Sequence, residues 1–337
     1  MDRITRRALE LIAENGRGVA ARLSAEFNIT RQAASGRIQR MVRDGLLLSE
    51  GTTSNRVLNL AVLSRNQASY PIAGLSEDIV WRQLCAPVVA DLTANVRDIW
   101  HYGITEMVNN AIDHSSSPWV NVGMTRTALY TTAWVSDAGE GIFLKIQRAL
   151  NLYDPRESIL ELAKGKLTTD PANHTGEGIF FSSKLFDAYD IRSGNLHFRH
   201  DAGELEVLAE SERADQGTIV LMRLANDSPR TEKAVFDQFS SPDEYTFDRT
   251  IVPVRLAIHE GEKLVSRSQA RRLTLRFERF KHVILDFEGV NEIGQAFADE
   301  VFRVFQTAHP EIVMAPVNMT PAVQAMVSRA KARDSQP

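Results

Sequence analysis

The chain has 337 residues, 43% hydrophobic and 24% charged, proportions that fit an ordinary globular protein of two or three domains. No apolar run reaches the ~20 residues of a membrane span, Met1 to Arg7 lacks the apolar core of a signal peptide, and the single cysteine, Cys85, excludes an intramolecular disulfide or a thiolate metal cage. A cytoplasmic protein with no membrane contact is therefore expected. The net charge of −4 hides an asymmetry: residues 1–65 hold eleven Arg against six Asp or Glu, and the remainder is acidic. An anionic partner is expected for the first segment only.

Ile4 to Ala13 reads as a helix that Asn15-Gly16 stops, and a second helix runs from about Gly18 to Phe27. After a turn at Asn28-Ile29, Thr30 caps a third helix, Arg31 to Asp44, which Gly45 ends. Ala34, Ile38, Met41 and Val42 form its apolar stripe, with Arg31, Gln32, Ser35, Arg37 and Arg40 largely on the other side. Leu46-Leu47-Leu48 and Arg56 to Leu60 then read as two strands. This order looks like a winged helix-turn-helix over residues 1–63, whose third helix enters a DNA major groove. Arg and Gln near the start of that helix suit guanine and adenine edges, and Arg56 beside the wing suits phosphate. Winged helices also serve as protein-docking modules, and the Arg excess favours DNA. Residues 64–75 read as a linker.

The helix around Gly103 to Ser115 sets Glu106 and Asn110 one turn apart on one face. A carboxylate and an amide so placed can hold a water and a hydrated Mg²⁺ beside a nucleotide phosphate, although such pairs also face plain solvent. A strand from Tyr130 ends at Asp137, which can accept a hydrogen bond from an exocyclic amine. Gly139 and Gly141 follow, in either an ordinary turn or a close backbone approach to a flat ring. Gly176 and Gly178 open an apolar helix whose first N–H groups can meet phosphate. Gln216 to Leu224 reads as a closing strand that starts at Gly217-Thr218.

In this order, residues 76–226 resemble the GHKL ATPase superfamily, which includes gyrase-type ATPases, chaperone ATPases, histidine kinases, MutL-type proteins and anti-sigma serine kinases. The resemblance implies a Bergerat-type α/β sandwich that binds ATP and Mg²⁺. It makes Asp137 the reader of the adenine amine, Asn110 the Mg²⁺ ligand and Glu106 the general base. Gly139, Gly141, Thr175, Gly176, Gly178 and Thr218 complete the nucleotide contacts, and Asp113, one turn beyond Asn110, lines the same pocket. Phe143 to Thr175 would form a lid whose Lys145, Lys164, Lys166 and His174 can reach phosphate.

Residues 227–246 read as a second linker, and residues 247–333 as a small α/β domain. Ile251 to Leu256, His282 to Phe287 and Glu311 to Ala315 read as strands, and Ser268 to Phe280, Gln295 to Ala308 and Pro321 to Ala330 as helices. Leu285-Asp286-Phe287-Glu288-Gly289-Val290 followed by a helix resembles the STAS fold of anti-sigma-factor antagonists. There, a serine at the loop-to-helix junction is phosphorylated by a GHKL partner kinase. Here Ile293 to Ala298 holds no Ser or Thr, so phosphorylation at that place is excluded. The match is closer to STAS-like domains of unknown function.

The fold class expected is multidomain α/β: winged helix, GHKL sandwich, STAS-like domain. The function expected is an ATP-binding, DNA-binding regulator, an ATPase or phosphotransferase by its chemistry. It would form a homodimer and meet a partner protein through its C-terminal domain. An anti-sigma-type Ser/Thr kinase acting on a separate protein is the first alternative and a DNA-associated ATPase clamp the second.

Overall fold

The computed structural model describes residues 1–51, 55–168, 176–201, 207–240, 246–258 and 262–332. Asp2 opens α1 (Arg3–Glu14) by accepting the N–H groups of Ile4 and Thr5. α2 (Val19–Phe27) begins and ends on left-handed Gly18 and Asn28. Thr30 caps α3 (Arg31–Arg43) through the N–H of Ala33. β1 (Leu47–Glu50) and β2 (Val57–Leu60) pair antiparallel, Leu47 opposite Leu60. The hairpin seats at Gly16, whose carbonyl accepts the Leu58 N–H at 3.0 Å. A Cβ at Gly16 would lie 1.8 Å from the Leu58 oxygen, so only glycine admits the wing there. Leu9, Leu11, Leu23, Ala34, Ile38 and Leu58 give this unit its own core.

The expected linker at 64–75 is instead mostly strand. β3 (Ser64–Pro71) is an edge of a five-stranded sheet in the order β3-β4-β5-β7-β6. It runs antiparallel to β4 (Trp119–Arg126), with Ser64 opposite Arg126 and Pro71 opposite Trp119. Arg65, Gln67 and Ser69 take its exposed face, and Ala68 and Tyr70 pack inward. A polar edge strand with so few core residues has the composition of a linker. The winged helix is thus joined to the sheet without slack. Leu63 N–H bonds the Arg126 carbonyl, Leu129 enters the winged-helix core, and Arg6 pairs with Asp227 at 2.9 Å.

The other strands are β5 (Tyr130–Asp137), β6 (Ala188–Asp201) and β7 (Val207–Ala225), all antiparallel to their neighbours. α4 (Glu77–Val80), a π-helical turn Trp81–Cys85 and α5 (Ala86–Val89) lead to the 21-residue α6 (Ala94–His114). Burial alternates along β5, and its inward residues share a core with Ile99, Trp100, Ile104 and Met107 of α6. Cys85 is fully buried in the same core, and burial pushes its thiol up to about 12. α7 (Ile142–Leu150), α8 (Glu157–Lys164) and α9 (Gly178–Leu185) complete the helical layer. Among the described residues no helix is long and apolar enough to cross a membrane.

The second expected linker holds α10 (Glu232–Phe239), capped by Thr231 and anchored by Val235 and Phe239. β8 (Arg249–Pro253), β9 (His282–Asp286) and β10 (Val313–Val317) then form a parallel sheet in the order β10-β9-β8. The expected helix at 268–280 splits. α11 (Arg267–Thr274) ends before left-handed Arg276, and Phe277–Arg279 is a 3-10 turn. α12 (Gln295–Asp299), a π-helical turn Glu300–Phe305 and α13 (Gln306–Ala308) run on continuously, and α14 (Pro321–Ala332) closes the domain. Gly294, at the hydroxyl-free junction, donates to the Leu264 carbonyl at 2.7 Å, and a Cβ there would lie 2.8 Å from Val265 Cα. This junction is a packing contact.

α6 can approach the end of α9 because residue 103 is glycine. A Cβ there would come within 2.4 Å of the Phe186 ring. Gly103→Ala is expected to cost about 1–3 kcal/mol by overpacking. Thermal unfolding checks this, and an unchanged midpoint would show that Phe186 yields freely.

Candidate functional site

The row of α6 that carries Glu106, Asn110 and His114 faces a cavity of about 300 Å³. The row steps by four residues, so each member sits above the last on one face. The segments singled out after α6 in the sequence close on the same cavity: Asp137 at the end of β5, Gly141 ahead of α7, Gly176 and Gly178 ahead of and within the first turn of α9, and Thr218 in β7.

Close backbone approaches hold these segments together. Gly217 has φ 73°, and a Cβ on it would lie 2.2 Å from the Asp137 carbonyl oxygen. Gly141 has φ 89°, and its Cβ would lie 2.4 Å from Ser193 Oγ. Ser193 Oγ in turn donates to the Gly217 carbonyl at 2.8 Å, and Thr218 Oγ1 accepts the Ile142 N–H at 3.0 Å. The first glycine segment and the Gly-Thr strand are therefore braced against each other through β6. Across the cavity, a Cβ at Gly178 would lie 2.0 Å from Glu106 Oε2. The start of α9, whose first N–H groups lack intrahelical acceptors, thus sits against the carboxylate of α6.

Asp137 Oδ1 accepts the Gly139 N–H at 2.8 Å. Burial raises the Asp137 carboxyl above its ordinary range, and backbone N–H groups of Gly139 and Thr218 offset this in part. Gly139 does not line the cavity. It orients Asp137, and a Cβ on it would strike the Ser115 carbonyl at 1.8 Å. Asn110 lines the cavity, and its buried Nδ2 has no hydrogen-bond partner among the described residues. Lys145 Nζ donates to the His114 carbonyl at 2.6 Å and lines the cavity near the end of α6.

Several expected site residues lie elsewhere. Asp113 is exposed and does not line the cavity. The lining face follows the four-residue rows through 106, 110 and 114 and through 107, 111 and 115, and Asp113 falls outside both. Lys164 is fully buried against Glu161 at 2.5 Å, away from the cavity. Burial pushes its ammonium below the ordinary lysine range, and Glu161 pulls the other way. Lys166 Nζ donates to the Arg279 carbonyl at 2.9 Å, toward the C-terminal domain. Thr175 and His174 lie outside the described residues. Residues not anticipated from the sequence include Leu162, Leu167 and Thr168 in the wall and Ser193 as the brace. Ser193 carried no local signal, because its role depends on the pairing of β6 with β7.

On α3, Arg31, Gln32 and Arg40 are exposed and Ser35 is half-buried. Arg37 is exposed and pairs with Asp2 at 3.3 Å. Arg56 is half-buried, and its Nε donates to Ser49 Oγ at 2.8 Å, bracing the wing. Among the described residues no group of three or more His, Cys, Asp or Glu could hold a metal.

The raised Asp137 carboxyl gives a pH dependence. Its protonated form favours the folded state, so its contribution is complete below the ordinary value of 3.8 and is lost as pH rises through the raised value. The stability of the parent chain relative to Asp137→Asn is expected to fall over that rise, in urea unfolding at stepped pH. A difference that stays flat or grows would contradict the burial of this carboxyl.

Comparison with known families agrees at both ends of the chain. Residues 1–47 match the winged helix-turn-helix DNA-binding family. Residues 269–324 match the STAS-like domain of unknown function (DUF4325). No curated protein matches the chain. The chain therefore carries a DNA-binding type of winged helix at its start and a STAS-like domain near its end. Neither match reaches the central cavity.

Proposed function

We propose that this chain is a DNA-binding regulator whose winged helix is controlled by Mg²⁺-ATP held in a GHKL-type site of the central domain. The observation that carries the proposal is the meeting of all four motif segments at one cavity, with glycines where any Cβ would collide. Asp137 supplies a buried acceptor for the adenine amine. The glycine turn and the start of α9 supply N–H groups for phosphates. Asn110 would turn its amide oxygen to the ion, while its buried Nδ2, without a partner among the described residues, is free to donate to a phosphate oxygen. Mg²⁺ takes one or two protein ligands and completes its shell with phosphate and water oxygens, so the lack of a three-residue cluster among the described residues fits it.

Bound Mg²⁺ would neutralise charge on the phosphates. Glu106 stands at the first turn of α9; with phosphates bound there, its carboxylate would orient and deprotonate a water or an acceptor hydroxyl. That hydroxyl would belong to another protein if transfer occurs, because the junction of the STAS-like domain has none. On α3, exposed Arg31, Gln32 and Arg40 are the candidates for base-edge and phosphate contact.

Asn110→Ala is expected to abolish Mg²⁺-ATP binding in calorimetric titration. Glu106→Ala is expected to keep binding and to lower turnover by about 10²–10⁴-fold. Turnover at the parental rate would remove Glu106 from the chemistry. Incubation with γ-labelled ATP separates the outcomes: free phosphate marks an ATPase, a labelled second protein marks a kinase, and neither marks a nucleotide sensor.

Arg31→Ala is expected to weaken specific DNA binding by about 1–3 kcal/mol, and binding by the parent should fall steeply with salt. Absent or salt-insensitive binding in an electrophoretic shift assay would assign the winged helix to protein docking.

A further inference from the structure

α8 sits between the cavity and the C-terminal domain. Its Leu162 lines the cavity, as do Leu167 and Thr168 just beyond its end. Its Glu161 and Lys164 are 1% and 0% exposed, and Arg276 of the C-terminal domain is 5% exposed. Arg276 Nη1 donates to Glu161 Oε2 at 2.9 Å. Arg276 Nη2 donates to the Gly165 carbonyl at 2.9 Å and also to that of Lys166. Lys164 Nζ donates to the Leu275 carbonyl at 2.9 Å, and Thr250 Oγ1 donates to the Lys164 carbonyl at 2.7 Å. The last carbonyls of a helix have no donors within it. For α8, Arg276 and Thr250 of the C-terminal domain supply donors to the Glu161 and Lys164 carbonyls, and the Gly165 N–H meets that of Leu162.

A second path runs through aromatic rings. Phe180, in the cavity wall, lies 4.7 Å from Phe247, which lies 5.6 Å from Phe280. A Cβ at Gly165 would meet the Phe247 ring at 2.7 Å. Buried charges of this kind contribute little net stability, but they tolerate only one arrangement, since a shift leaves a charge unpaired. Arg276 also holds a left-handed backbone, φ 65°, which non-glycine residues seldom adopt. The segment around it is thus built to one shape, and that shape caps α8.

We propose that the STAS-like domain clamps the cavity wall through Arg276 and Thr250, so that nucleotide affinity and C-terminal docking are linked. The proposal rests on the cavity taking a nucleotide. Arg276 and Thr250 are positioning residues that act through α8. A ligand that needs Leu162, Leu167 and Thr168 in place binds more tightly when the clamp is closed. By reciprocity it must also tighten the clamp. Any event that loosens these contacts, such as a partner protein docking on the C-terminal domain, would then weaken nucleotide binding.

The test is hydrogen exchange of the full chain with and without Mg²⁺-ATP, beside titration of Mg²⁺-ATP, for the parent, Arg276→Ala, Arg276→Lys and Thr250→Val. Arg276→Ala is expected to weaken Mg²⁺-ATP binding by about 5–150-fold, the usual span of coupling between sites. Arg276→Lys and Thr250→Val, which keep charge or shape, should weaken it less. In the parent, Mg²⁺-ATP should slow exchange both at residues 157–168 and at 272–280. In the variants the second effect should shrink, with exchange in residues 1–47 unchanged. If the folded Lys and Val variants bind and exchange like the parent, the clamp is overturned. If the parent itself fails to bind Mg²⁺-ATP, the nucleotide assignment falls. The clamp is then judged without nucleotide, by whether both variants speed exchange at 157–168; unchanged exchange overturns it.

Discussion

The contact on which the site depends is the approach of α9 to α6 at Gly178 and Glu106. A Cβ at position 178 would stand 2.0 Å from the Glu106 carboxylate, so any other residue would displace that side chain from its place. That approach brings N–H groups of a helix start next to the acidic end of a polar row on α6. The same economy recurs at Gly217 against Asp137 and at Gly139 against Ser115. Missing side chains make the cavity walls thin enough for backbone to meet a ligand. Asp137 then supplies a fixed acceptor, at the cost of burying its carboxyl.

This central unit is welded to its neighbours on both sides. The winged helix shares Leu129 with the β4–β5 turn, and β3 continues the chain directly into the sheet. The C-terminal domain shares a continuous core with the central one and caps α8 with Arg276 and Thr250. A change in the central domain therefore has rigid routes to both ends. Short, packed connections make a transmitted signal physically reasonable in a way that loose linkers would not.

How much of this was legible in the sequence differs by region. The winged helix was legible because each helix carries its own punctuation: Thr30 as a cap, Gly45 as a stop, and Ala34, Ile38 and Met41 on one face. The meeting of Glu106, Asn110, Asp137, Gly176, Gly178 and Thr218 at one cavity was expected from motif order and is seen. β3 was hidden, because an edge strand with polar Arg65, Gln67 and Ser69 looks like a linker until its partner is known. Lys164 was misplaced for a related reason. Lysine is ordinarily a surface residue, and only the fold reveals buried Glu161 and the Leu275 carbonyl as its partners. Asp113 shows the limit of helical spacing, which gives the angle around α6 but not where the cavity ends.

The most direct test of the central claim is a crystal structure of the full chain with Mg²⁺ and a non-hydrolysable ATP analogue at saturating concentration. We expect the adenine amine against Asp137, the phosphates at the start of α9 beside Gly176 and Gly178, and the ion beside Asn110. An analogue bound elsewhere, or a cavity left unfilled under those conditions, would contradict that claim.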